Sequence, residues 1–194
     1  MKTYPQAIRR FGLLFRQASR TGLQEPTAMA LATADAQGRP SVRTVLLKEA
    51  TPSGFVFYTN LKSRKGKQLA ANPRAALCFF WDKLMEQVLV EGLVKPVSGR
   101  EADNYWASRP RESQIGAWAS LQSRPLDSRK KLLARVTKYK SKFLGKPVPR
   151  PLHWGGFRLI PNRIEFWKRR PFRLHERLLF KKRGGRWVKT FLYP

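Results

Sequence analysis

A chain of 194 residues and 22.5 kDa, 42% hydrophobic and 12% aromatic, carries enough apolar material for one globular domain and too much for disorder throughout. Forty Lys and Arg against 12 Asp and Glu give a net charge of +28, so either something anionic is bound or the surface repels itself, and charge alone does not say which. The single cysteine, Cys78, excludes an internal disulfide, two histidines with it are too few for a Cys/His zinc site, and no run approaches the ~18 apolar residues of a membrane span, so a soluble, cytoplasmic, metal-free protein is expected.

Taken in order, the first segment places Ile8, Phe11, Leu14 and Phe15 on one face of an amphipathic helix, with Ser19 to Pro26 as a linker. Residues 1–24 thus read as helix and linker, and 25–194 as a single domain. Thr27 to Ala34 and Ser41 to Lys48 read as strands around DAQGRP, whose Gly38 and Pro40 suit a tight reversal. GFVFYTN (54–60) is a third strand. Ser63 is an N-cap ahead of a short helix that Asn72-Pro73 ends. Ala75 to Trp81 and Val88 to Val94 read as buried strands, and a helix from the cap Ser98 to Pro110 is expected to bury Tyr105 and Trp106 at least partly. Residues 129–146 carry Leu132, Leu133, Val136, Tyr139 and Phe143 at helical spacing under a cationic face. Pro147, Pro149 and Pro151 stiffen a connector, and GGFRLIP, RIEFWK, RLLFKK and RWVKTFLY read as four more strands, the last two joined at Gly184-Gly185. Strands outnumber helices and no regular strand-helix alternation appears, so the predicted architecture is an antiparallel barrel with helices packed outside.

Polar clusters at the ends of apolar strands carry the chemistry. Arg43 and Lys48 in RTVLLK are five apart, which on a strand sends them to opposite faces, suiting two anionic groups or two edges of one cofactor. YTNLKSRK sets Tyr58 and Thr59 at a strand end and Ser63, Arg64 and Lys65 at a helix start, where free N–H groups favour a phosphate; a solvated helix end reads equally from these residues alone. Residues 129–194 hold 21 of the basic residues and 2 of the acidic ones. That cationic excess is either a solvated face or a site of non-specific polyanion adhesion.

EPTAM (25–29), RTVLLK (43–48), FYTNLKSRK (57–65), SRPRESQIGAWAS (108–120), WGGFRL (154–159), IEFW (164–167) and RLHER (173–177) occur in one order, and on them the chain resembles the pyridoxamine 5'-phosphate oxidase family, flavoenzymes of vitamin B6 metabolism. The resemblance covers roughly residues 25–194. It implies a mainly β split-barrel homodimer with flavin mononucleotide (FMN) at the subunit interface. The implied reaction oxidises pyridoxamine or pyridoxine 5'-phosphate to pyridoxal 5'-phosphate, with oxygen reoxidising the flavin and giving hydrogen peroxide. Motif by motif, it implies that Arg43, Thr44, Val45, Leu46, Leu47, Lys48, Tyr58, Thr59, Arg64, Lys65, Gln87, Gln122, Ser123, Trp167 and Arg177 bind the flavin. Lys48, Tyr105, Arg109 and Ser113 resemble the family's clamp on the substrate phosphate. Tyr105 and Arg109, i and i+4, share a helix face, and a turn at Pro110 is expected to fold Ser113 back toward them. Arg173 and His175 resemble the residues that hold the substrate's ring and reacting carbon, with His175 managing a proton; on a strand they would share one face. Without the resemblance, Tyr105 reads as core, Arg109 as surface and His175 as structural, and Trp167 reads equally as core or as a ring beside an aromatic cofactor. Two features depart from the family pattern: only 24 residues precede EPTAM, so no lid residue is assigned, and Glu176 stands where Asp is more usual. Two other readings compete, a basic nucleic-acid-binding module and a flavin-binding split barrel with an altered substrate; the absence of a standard nucleic-acid motif counts against the first and the complete clamp against the second.

Overall fold

A computed structural model describes residues 3–194. Helix α1 (Thr3–Ser19) buries Ala7, Phe11, Leu14 and Ala18. Phe11 meets Phe55, Phe79 and Trp81 with ring centroids 4.9, 5.0 and 5.9 Å away, so the helix plugs the aromatic interior of a sheet. Among the described residues no helix is long and apolar enough to cross a membrane.

The strands are β1 (Ala28–Ala34), β2 (Pro40–Leu46), β3 (Glu49–Thr51), β4 (Gly54–Asn60), β5 (Arg74–Trp81), β6 (Glu86–Pro96), β7 (Trp154–Lys168), β8 (Glu176–Arg183) and β9 (Arg186–Leu192). All pairings are antiparallel, in the order β2-β1-β5-β6-β7-β4-β3, with β8 on β7 and β9 on β8. The two ends of that order, β2 and β3, are consecutive in the chain. Leu47 N–H still donates to Thr27 O on the β1 side at 2.9 Å, and Lys48 N–H donates to Val56 O of β4 at 2.8 Å. The sheet therefore closes on itself at Leu47–Lys48, and the expected antiparallel barrel is found with α1 packed against it. Its interior alternates as the pleat requires: Met29, Leu31 and Thr33 of β1 point inward, and Ala28, Ala30 and Ala32 outward.

Three local expectations are corrected. GGFRLIP and RIEFWK form one 15-residue strand, β7. Asn162 is the extra residue of a bulge, since Gly92 pairs with Pro161 and Glu91 with Arg163. Pro161 falls between the end of β4 pairing at Leu159 and the start of β8 pairing at Arg163, where a strand tolerates a residue without N–H. Opposite the bulge, a Cβ on Gly92 would lie 2.1 Å from Ile160 O, so only glycine fits. The second correction is an additional helix. After α2 (Arg64–Ala71) and α3 (Gly99–Ala107) comes α4 (Arg111–Ala119), where a turn was expected. In the third, α5 (Arg129–Lys142) has no buried residue of its own and leaves Leu133 53% exposed; the stripe packs on α4 through Val136, Tyr139 and its buried C-cap Phe143.

Candidate functional site

A second core of Trp106, Ile115, Phe143, Val148 and Trp154 joins α3, α4 and α5 to the start of β7. Between it and the barrel seam lies a cavity of about 650 Å³. Its walls are Thr44, Val45 and Leu46 of β2, Lys48 at the seam, Tyr58, Thr59 and Asn60 closing β4, Lys65 of α2, Tyr105, Arg109 and Ser113 from the helices, Gln122, and Trp154. Ser113 reaches it from the first turn of α4, not by a folded-back turn.

Each wall has a local reason. Ser63 Oγ accepts from Gly66 N–H at 3.3 Å, so α2 begins where its residue Lys65 enters the cavity. Lys65 Nζ donates to Thr59 Oγ1 at 3.2 Å and Gln122 Oε1 at 3.0 Å. Burial, then the nearby Arg43 charge, lowers its pKa below the ordinary lysine value. Arg43 is not a cavity wall, and the strand parity expected between it and Lys48 does not apply because β2 ends at Leu46: the Arg43 guanidinium donates to Leu31 O at 3.1 Å and Thr33 Oγ1 at 2.6 Å. Burial and then the Arg64 charge lower its pKa. Gly156 pairs with Tyr58, and a Cβ there would sit 2.6 Å from the Tyr58 ring. That absent side chain lets Tyr58 stack on Tyr105 at 4.1 Å and on Trp154 at 5.3 Å. Burial and neighbouring carboxylates push the Tyr58 hydroxyl up to about 12, so it stays protonated across the working range.

Among the described residues, Lys48, Arg64, Lys65 and Arg109 form no ion pair with a carboxylate. Arg109 Nη1 is buried without a hydrogen-bond partner, and burial lowers the pKa of that guanidinium. Lys65 is buried and Arg109 half-buried, and uncompensated cations of that kind are costly; with exposed Lys48 beside the same cavity they fit an anionic ligand with one or two phosphates.

The remaining expected residues lie elsewhere. Leu47 is buried core, Arg64 is exposed at the start of α2, and Ser123, at φ 70°, lines a smaller groove beside Gln122. Gln87, Trp167 and Arg177 line up across β6, β7 and β8 on the outer barrel face. Arg173 and His175 do not share a strand: Pro171–Arg173 is a 3-10 turn, with Phe172 at φ 55° and Arg173 at φ 61°. The turn folds His175 onto Trp167, ring centroids 4.7 Å apart, and Arg170 N–H donates to His175 Nδ1 at 3.2 Å. A neutral His175 therefore carries its proton on Nε2. Arg177 is fixed by buried Glu165, Nε to Oε1 at 2.7 Å, and by Tyr193 O at 3.1 Å.

This second group is remote from the cavity within one chain. Thr44 of the cavity pairs with Ala30, and the row continues through Cys78 and Leu89 to Glu165. Four strand spacings separate its ends, roughly 19 Å around the sheet. Sequence reasoning nominated neither Trp154 nor Asn60, although both belong to quoted motifs or their edges; no charge or spacing marks an aromatic residue as a cavity wall.

Residues 15–143 match the family model described as pyridoxamine 5'-phosphate oxidase, and residues 154–194 match the pyridoxine 5'-phosphate oxidase C-terminal dimerisation region. The second stretch corresponds to β7, β8 and β9. A pyridoxine/pyridoxamine 5'-phosphate oxidase of Alkalilimnicola ehrlichii is 54% identical over 196 residues, covering 100% of both chains. One from Myxococcus xanthus strain DK1622 is 53% identical over 190 residues, 98% of this chain and 92% of that one. Among solved structures, PhzG from Burkholderia lata 383, in complex with tetrahydrophenazine-1-carboxylic acid, superposes with a TM-score of 0.92 at 33% identity, over 96% of this chain and 92% of that one. An FMN-binding protein of Nostoc punctiforme shares the fold, with a TM-score of 0.77 at 16% identity over 96% and 97%. The fold is the split barrel of these relatives, and the chain belongs to the pyridoxamine 5'-phosphate oxidase family.

Proposed function

We propose that the protein oxidises pyridoxamine or pyridoxine 5'-phosphate to pyridoxal 5'-phosphate using FMN, as a homodimer with two shared sites. The observation that carries the reading is the cavity itself, lined both by Arg109, whose Nη1 is unpaired, with Lys48, Tyr105 and Ser113, and by the hydrogen-bonded Thr59–Lys65–Gln122 triad. Those are two separate places for phosphate, as a phosphorylated substrate and a mononucleotide require. Two cations and two hydroxyls suit a phosphate dianion better than the carboxylate of the compound bound by the Burkholderia protein.

Flavin, when bound, supplies the acceptor for the two electrons and passes them to oxygen, giving hydrogen peroxide. Lys65, with Arg64 at the same helix start, would hold its phosphate, and Thr44 to Leu46 would offer it the β2 backbone. Lys48, Tyr105, Arg109 and Ser113 fix the substrate by its phosphate, a remote handle that orients the reacting carbon. Arg173 orients the substrate ring, and His175 holds a proton at Nε2. With an amine substrate, water enters and ammonia leaves.

Gln87, Trp167, Arg173, His175 and Arg177 can serve this cavity only from a second copy. The outer face that would meet that copy is apolar and bare, with Val42, Phe80 and Leu93 at 68%, 54% and 42% exposure, and a two-fold axis would lay each copy's second group over the other's cavity.

The test is the absorbance of protein reconstituted with FMN under anaerobic conditions. Pyridoxamine 5'-phosphate should bleach the flavin band and air should restore it. Failure to retain FMN, or a band that substrate leaves unchanged, would remove this assignment.

A further inference from the structure

Resting on the phosphate clamp proposed above, we infer that Trp154 is a positioning residue for Arg109: it holds the guanidinium ready for a phosphate without neutralising it. The Arg109 guanidinium carbon lies 4.8 Å from the Trp154 ring centroid and 5.2 Å from that of Trp106. The two indoles meet edge to face, 4.9 Å apart at 68°, and form a corner around the cation. Both walls of the corner are rigid. Trp106 is buried, and its Nε1 donates to Val148 O at 2.8 Å. Trp154 is paired to Asn60 across β4 and stacked on Tyr58 with 5° between planes.

Three other half-buried arginines are held by carboxylates, whereas Arg10, 5.1 Å from the Phe166 ring centroid, shares the aromatic arrangement of Arg109 but lines no part of this cavity. Arg150 is paired to Asp103, Arg158 to Glu49 and Glu101, and Arg163 to Glu165. A carboxylate beside Arg109 would take the same N–H groups a phosphate needs and cancel the charge that attracts it. An aromatic face attracts the cation through its quadrupole and takes no N–H. Arg109 Nη1 is accordingly buried, unpaired and at the cavity wall. Trp154 thus contributes to the preference for phosphorylated over unphosphorylated substrate, through Arg109.

The experiment compares parent, Trp154→Leu and Trp154→Phe as FMN-loaded enzymes. Steady-state kinetics use pyridoxine 5'-phosphate, and calorimetry uses pyridoxal 5'-phosphate and unphosphorylated pyridoxal. Trp154→Leu is expected to raise KM about tenfold, with the loss on KM rather than kcat, and Trp154→Phe, which keeps a ring face, about threefold. Affinity for pyridoxal 5'-phosphate should fall in step, while that for pyridoxal stays at the parent value. Should Trp154→Leu not fold, Trp154→Phe alone decides: an unchanged KM overturns the inference. Equal losses for pyridoxal and its phosphate, or a loss on kcat alone, overturn it too. A parent that itself shows no preference for the phosphorylated compound overturns the clamp, whereas a parent with that preference and variants that keep it overturn only the role of Trp154.

Discussion

Lys65 shows how a single residue can be costly to the fold and useful to the site. Its pKa is lowered first by burial and second by Arg43, so between that lowered value and the ordinary lysine value the unfolded chain binds the proton more tightly than the folded one. The apo fold therefore gains stability as pH rises through this window. Anion binding has the opposite sign, because a phosphate is held by the charged form. FMN affinity, followed by flavin fluorescence from neutral to alkaline pH, is expected to weaken earlier than an ordinary lysine would allow. Lys65→Arg should move that limb upward, and Lys65→Met should abolish it and weaken binding by about one to two orders of magnitude. A flat alkaline profile in the parent would exclude Lys65 from the phosphate site. Much at this scale was legible in the sequence: the caps Ser63 and Ser98 accept as expected from Gly66 and Glu101. The positive φ of Phe172 and Arg173 was not, because neither residue is of a type that favours it.

Elements were legible where one pattern dominated and obscure where two competed. The segment RESQIGAWA buries only Ile115 and Ala119, too thin a stripe to announce a helix, and Pro110, read as a stop, is the N-cap of α4. In β7 the proline that signals a break sits beside a bulge within one strand. Helix α5 was found because its cationic face contrasts with its apolar stripe. It is held at one end by Arg111, whose Nη1 donates to Lys146 O at 2.9 Å and whose Nη2 donates to Phe143 O, while Lys130, Lys138 and Lys142 remain exposed and free of ion pairs with carboxylates. We propose that this face adheres to polyanions independently of turnover, since two phosphates per site need far fewer cations than the chain carries. Changing Lys130, Lys138 and Lys142 to Gln should lower the salt needed for elution from heparin and leave kcat at the parent value. Elution at an unchanged salt concentration would assign the adhesion elsewhere.

For the molecule as a whole, the sequence names residues but not which copy supplies them, so two groups on different strands of the barrel read as one site. Mixed dimers make the distinction measurable. Arg109→Ala removes a cavity residue and His175→Ala a residue of the second group. If sites are shared, a hybrid holds one doubly damaged site and one intact one. Co-expression should then restore about a quarter of parental activity, because half the dimers are hybrids with half their sites whole. No recovery above the two single variants would place both groups in one copy. The closure of the ring at Leu47–Lys48 bears also on biosynthesis. β4 pairs early with β3 but gains its second partner only when Trp154 to Leu159 has been made, so the nascent chain leaves the ribosome as an open sheet with unsatisfied edges through most of translation. The segment that closes the ring also delivers Trp154 to the cavity wall. A message truncated before that codon therefore encodes no partly competent enzyme, only an adhesive, unclosed sheet for the cell's quality control to clear.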